Sequence, residues 1–196
     1  MHFLYSTLIF LLFIFVSPLL IIISICIFVL SGYPVFYTQK RIGRNGKSFT
    51  MYKFRTMIQG AEKLQCKYKQ QNEADGPVFK IHDDPRFTSI GKFLCHTGLD
   101  ELPQLWNILR GDMAFFGPRP LPTYEAKHLL SWQKKRQCIK PGIISPWVLD
   151  GYHTHTFIDW MRSDCVYAQK KNFGYDVRLF FRSLIFMVRL LFQEVF

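Results

Sequence analysis

The first 32 residues contain no Lys, Arg, Asp or Glu, and from Phe3 to Leu30 the chain is apolar apart from scattered Ser, Thr and Tyr. At about 1.5 Å per residue, a helix of that length exceeds the roughly 30 Å hydrocarbon core of a bilayer, so lipid is its natural solvent. Ser17-Pro18 interrupts the run near its middle. Proline removes one backbone hydrogen bond and clashes with the preceding turn, which predicts a kink there. The same residues are equally compatible with a straight or mildly bent spanning helix. The segment lacks the basic start and small-residue cleavage site of a secretory leader, so it is expected to be retained.

Past Ser31-Gly32 the character changes. Lys40, Arg41, Arg44, Lys47 and Lys53 follow with no acidic residue among them, which puts this side of the membrane segment in the cytosol. The whole chain carries 25 Lys+Arg against 14 Asp+Glu, a formal net charge of +11. Such a surplus suits an anionic membrane surface or a nucleic acid, and charge alone does not choose between them. No recognised nucleic-acid motif is present, so nucleic acid is not expected as a partner. A length of 196 residues fits one catalytic unit. The five cysteines are odd in number and widely spaced with no CxxC pair, which argues against a disulfide framework or a zinc site.

Val35-Phe36-Tyr37 and Ser48 to Tyr52 are rich in β-branched and aromatic residues and flank Asn45-Gly46, predicting a short hairpin. Residues 59 to 76 are polar and of mixed charge, as in a solvated helix and loop. From Tyr175 to Phe196 the pattern is helical, with Arg178, Arg182, Arg189 and Gln193 near one face and apolar residues over the rest. Such a helix suits either a membrane interface or a core position with snorkelling arginines.

The chemistry concentrates in Thr97-Gly98-Leu99-Asp100-Glu101-Leu102-Pro103-Gln104-Leu105-Trp106-Asn107. Pro103 is tolerated in a first helical turn, which places Asp100 and Glu101 at a helix N-terminus. An isolated pair of this kind is ordinarily a cap, worth about 0.3 to 1 kcal/mol with the dipole. Here it is followed by Arg110-Gly111-Asp112-Met113 and Phe116-Gly117-Pro118-Arg119-Pro120, where two prolines and a glycine fix a bent backbone around one arginine. Lys53 and Arg55 in Tyr52 to Met57, and Arg86 in Lys80 to Thr88, add cations among aromatic and apolar residues. Arginine is suited to bidentate phosphate contacts. His96, His153 and His155 show no third ligand at a suitable spacing and read as ordinary histidines.

Together these stretches resemble the bacterial sugar transferase family, the monotopic polyprenol-phosphate phosphoglycosyl transferases. The resemblance runs from Ser17-Pro18 through YPVFYTQKRIGRNGKSFTMYKFRTM, VFKIHDDPRFTSIGKFL, LDELPQLWNILRGDMAFFGPRP and Lys140-Pro141-Gly142-Ile143. It implies an α+β, mainly helical fold: a re-entrant membrane helix over residues 1–32, then a compact membrane-associated cytosolic catalytic domain over 33–196 with short helices and a small hairpin or sheet. It also implies transfer of a sugar-1-phosphate from a UDP-sugar to undecaprenyl phosphate with release of UMP, on the cytoplasmic face of the bacterial inner membrane. In that scheme Asp100 is the nucleophile and a ligand of Mg²⁺, and Glu101 assists proton handling. Arg119, Lys53, Arg55 and Arg86 bind phosphate, while Ser17 and Pro18 mark the re-entrant break. Glu101 is the carboxyl expected to protonate more easily, and self-association is left open.

The chain departs from the family pattern after Ile143, where Tyr152 stands in place of an expected arginine. It departs again at Cys95-His96-Thr97-Gly98, which replaces a more basic stretch. Altered specificity is the expected consequence; a catalytically altered relative serving as a membrane-bound assembly factor is the alternative. The chain's length leaves room for the membrane segment and the catalytic core, so the extra spanning helices of longer relatives are not expected.

Overall fold

The computed structural model describes residues 2–149 and 156–195. Tyr152, His153 and His155 lie outside the described residues. Helix α1 spans His2–Ser31 and continues through Pro18. Proline has no amide to give the carbonyl of Ile14, four residues back, and the Ser17 hydroxyl donates to that oxygen instead at 2.7 Å. Among the described residues α1 is the one helix long and apolar enough to cross a membrane.

One stripe of α1 is nevertheless packed against protein along most of its length. Ile9 enters a cluster with Phe49, Met51, Leu105, Ile108 and Met113, and Leu12, Phe13 and Val16 border it. Ile23 and Ile27 join Phe54 and Leu94 in a second cluster. The other faces, including Phe15, Phe28 and Val29, are exposed.

Strands β1 (Phe36–Ile42) and β2 (Ser48–Phe54) form the expected antiparallel hairpin. Its turn places Asn45 at φ 56° and Gly46 at φ 75°, the left-handed region that asparagine and glycine enter at low cost. Arg55, just past β2, donates to the carbonyls of Ser31, Gly32 and Tyr33 at 2.5, 2.7 and 3.1 Å. Those oxygens at the end of α1 have no intrahelical partner, so Arg55 acts as a side-chain cap.

Helix α2 (Ser89–Thr97) begins at Thr88, whose hydroxyl accepts from the Gly91 amide, and ends at Gly98 with φ 75°. That left-handed residue turns the chain into a single 3-10 turn, Leu99–Glu101, ahead of the short helix α3 (Gln104–Leu109). Residues 59–76 hold a 3-10 helix, Gln65–Gln71, with no buried residue.

Strand β3 (Ala114–Phe116) pairs in parallel with β4 (Gly142–Ile144), a second two-stranded sheet that periodicity did not announce. A Cβ on Gly117 would meet the Lys140 carbonyl at 2.5 Å, and one on Gly142 would meet the Gly117 amide at 2.1 Å. Two glycines thus let the Gly-Pro-Arg-Pro loop lie directly on Lys-Pro-Gly. Helix α4 (Thr123–Ala126) and α5 (Pro146–Leu149) lead to α6 (Phe157–Lys170) and α7 (Phe173–Val195). A third core cluster gathers Leu121, Leu129, Trp147, Phe157, Trp160 and Met161. Helix α7 contacts α2 and α5 and leaves Phe180, Phe181, Leu184 and Ile185 exposed.

Candidate active site

The 3-10 turn between α2 and α3 presents Asp100 and Glu101 to the end of β2 and to the loop after β3. Lys53 of β2 places its Nζ 3.2 Å from Asp100 Oδ2 and 2.6 Å from Glu101 Oε1. Arg119 places NH2 2.7 Å from the same Glu101 oxygen. Four residues drawn from three separate stretches of sequence therefore form one connected ion cluster.

Local structure fixes each member. Asn107, fully buried on α3, accepts from the Tyr52 amide at 3.1 Å and donates to the Thr50 carbonyl at 2.7 Å. Its side chain mimics a neighbouring strand, which locks α3 to β2 and so sets Lys53 against Asp100. Arg41 on β1 donates to the Pro120 carbonyl at 2.8 Å, and the Ile42 amide to that of Leu121 at 2.9 Å, so the hairpin holds the Arg119 loop from one side. Asn107 and Arg41 were not singled out from sequence. A motif rich in candidate catalytic residues hides a structural asparagine, and an arginine in a basic run shows no sign that it will hold a loop 79 positions away.

Asp100 is 4% exposed. Burial pushes its carboxyl up to about 6, against the pull of Lys53 and with the push of Glu101. Partial burial pushes Glu101 up as well, but Arg119 and Lys53 outweigh that and hold it well below the ordinary glutamate range. The expectation that Glu101 would be the easier of the two to protonate is thus reversed. The reason is tertiary: Arg119 bonds Glu101 and leaves Asp100 with one cation. Lys53 and Arg119 are in turn shifted up by the two carboxylates.

The four charges cancel, yet more positive charge stands close by. Arg41 is lowered to about 10 by its burial and then by Arg119, and Lys80 to about 8 by the same two causes. Arg41, Met51, Gln104, Arg119, Pro120 and Gly142 line a small cleft beside the cluster. A site with carboxylates, an aimed arginine and further positive charge nearby suits the transfer of a phosphoryl group, whose charge must be neutralised as it moves.

Two expected phosphate-binding arginines are committed elsewhere. Arg55 caps α1, as described above. Arg86 makes a two-pronged pair with Asp84, Nε to Oδ1 at 2.9 Å and NH2 to Oδ2 at 2.6 Å, and donates to the Ala61 carbonyl at 3.0 Å. Both are buried and serve backbone and loop structure, a role that linear sequence cannot separate from ligand binding.

Known proteins share this arrangement of sequence. Residues 2–190 match the family model described as bacterial sugar transferase. The galactosyl transferase CpsE of Streptococcus agalactiae serotype III is 39% identical over 154 residues, 78% of this chain and 34% of the relative. The undecaprenyl-phosphate galactose phosphotransferase of Salmonella typhimurium is 31% identical over 166 residues, 81% of this chain and 34% of the relative. The exopolysaccharide production protein ExoY of Sinorhizobium fredii is 31% identical over 172 residues, covering 86% of this chain and 76% of the relative. The chain spans about a third of the length of the first two and about three quarters of the third. With nearly its full length matched, the chain belongs to the bacterial sugar transferase family.

Proposed function

We propose that this protein is a phosphoglycosyl transferase that moves a sugar-1-phosphate from a UDP-sugar to undecaprenyl phosphate with release of UMP. The observation that carries the reading is the Asp100–Glu101 pair held by Lys53 and Arg119, on a turn whose Leu99 and Leu102 pack against a helix apolar enough to enter lipid. The names of the relatives support the acceptor class, and two of them name galactose.

In the first step an Asp100 carboxylate oxygen attacks the sugar-proximal phosphorus. An Asp–O–P bond forms, the bridging P–O bond breaks, and UMP departs with the bond's electron pair. In the second step a phosphate oxygen of undecaprenyl phosphate attacks the same phosphorus, the Asp–O–P bond breaks, and the carboxylate returns. Arg119 and Lys53 supply cationic donors to the phosphoryl oxygens, and Glu101 holds both of them in place.

The donor set suits Mg²⁺. Hydrogen bonds from described residues reach Asp100 Oδ2 and Glu101 Oε1, and none reaches Asp100 Oδ1 or Glu101 Oε2, leaving hard oxygen ligands for such an ion. When bound, it supplies charge neutralisation for the diphosphate.

The packing of α1 supports a membrane placement for this domain. Ile9 and Ile27 are about 27 Å apart along a helix axis, yet both pack on the catalytic domain. A helix crossing the bilayer would carry Ile9 away from that domain, so the packing supports a re-entrant segment with both ends on the cytoplasmic face. The exposed apolar residues of α7 support an interfacial position for that helix. The test is UMP release by the purified protein with undecaprenyl phosphate and a panel of UDP-sugars, beginning with UDP-galactose. Absence of UMP with every donor, under conditions where a known family member turns over, would overturn the reading.

A further inference from the structure

Away from the catalytic cluster, the loop before α2 and the last turn of α2 bring His82, Asp83 and His96 together. One ligand atom from each lies within 4.8 Å of the others. His82 and His96 are 14 positions apart in sequence, so their spacing gave no sign of a shared site. The two imidazoles stack with centroids 4.6 Å apart and planes within 13°, so a shared ion is reached by turning the exposed His82 ring out of the stack, while Phe87 packs edge-on against His96 at 5.9 Å.

One hydrogen bond orients the His96 ring as a ligand is oriented. His96 Nε2 lies 3.1 Å from the main-chain carbonyl of His82. A carbonyl oxygen only accepts, so Nε2 donates in this contact. Ligating histidines are oriented in this way, with the far ring nitrogen donating to a backbone carbonyl or a carboxylate. Asp83 is held ionised by Lys92, whose Nζ is 2.6 Å from Oδ1. That ammonium is the group an incoming cation displaces.

We propose that His82, Asp83 and His96 bind a divalent transition-metal ion of the Zn²⁺ class, with water completing the coordination. Two imidazoles and one carboxylate suit Zn²⁺, Co²⁺ or Ni²⁺, and their affinity for a given site rises in the usual first-row order. Mg²⁺ demands oxygen ligands and sheds water reluctantly, so it does not compete. The site is chemically distinct from the Asp100–Glu101 pair. A bound ion ties the loop that carries Lys80 to α2, the helix whose end leads through Gly98 into the catalytic turn. The proposal does not depend on the transferase reading, because metal uptake is measured without substrate.

The experiment uses the full chain in lipid nanodiscs, stripped with EDTA, returned to excess Mg²⁺ and titrated with Co²⁺ while the visible absorption of the bound ion is recorded. One equivalent is taken up and is displaced by Zn²⁺. His82→Ala and His96→Ala each weaken uptake by more than about tenfold, since removing a ligand costs at least as much as removing its orienting partner. Asp83→Asn weakens it as well. Lys92→Met removes the competing ammonium and tightens it, a gain that damage to the fold would not produce. The proposal is overturned if the wild-type chain takes up no more Co²⁺ than His82→Ala/His96→Ala does, or if Lys92→Met leaves affinity unchanged.

Discussion

Arg136 donates from NH2 to the main-chain carbonyl of Arg119 at 2.5 Å while pairing with Asp164 through Nε at 3.0 Å and NH2 at 2.5 Å. Asp164 is fully buried and also accepts from the Ser145 hydroxyl at 3.3 Å. The buried pair thus supports from behind the loop that aims Arg119. Asp164→Ala leaves the Arg136 charge uncompensated, which should cost about 3 to 5 kcal/mol. A fall in the thermal midpoint of the nanodisc-bound protein checks this; an unchanged midpoint would show that the pair is dispensable. Arg136→Lys keeps the charge but loses the planar fork, so turnover should fall by more than stability does.

Asp100→Asn nearly preserves shape but cannot act as a phosphoryl nucleophile. Turnover and any covalent phosphosugar adduct should both disappear, as followed by UMP release and by the intact mass of protein quenched with donor alone. Substantial residual activity would transfer the nucleophile's role to another residue.

Arg119→Ala removes a charge-assisted donor from the reacting phosphate and should lower kcat about 100-fold, the usual scale for one such donor. Arg55→Met serves as the contrast. Its effect should appear in the stability of the α1 junction, with kcat little changed at temperatures where the variant is folded. Equal loss of kcat in both variants would place Arg55 in the chemistry after all.

Chelation by EDTA should stop turnover, and added Mg²⁺ should restore it, because Asp100 and Glu101 together offer only hard oxygen ligands. Full activity in EDTA would remove the metal from the mechanism.

The topology is tested at the N-terminus. A cysteine at position 2 in an otherwise Cys-free variant should resist an impermeant thiol reagent applied to intact spheroplasts. Labelling from the periplasmic side would establish a spanning helix. Replacing Ser17 and Pro18 by Ala and Leu restores the ordinary hydrogen bond to the Ile14 carbonyl and should shift the population toward spanning.

Local signals in this chain were strong enough to read directly. An apolar run from Phe3 to Leu30 can only be satisfied by lipid or a large apolar interior, and Asn45-Gly46 between two strand-like runs closes a hairpin because those residues tolerate positive φ. Asp100, Glu101 and Arg119 were likewise visible, since their motifs lie within about twenty consecutive residues. Which cations serve the site was decided elsewhere. Lys53, Arg55 and Arg86 look alike in sequence, yet one meets the carboxylates, one caps α1 and one pairs with Asp84. The direction of a guanidinium depends on which carbonyls and carboxylates the fold brings within about 3 Å, and those partners come from distant segments. The same holds for the protonation order of Asp100 and Glu101 and for the meeting of His82 with His96. The sequence determined the elements and the residue types available for chemistry; long-range packing decided which charges meet, because electrostatic and hydrogen-bond energies fall off over distances that chain spacing does not specify.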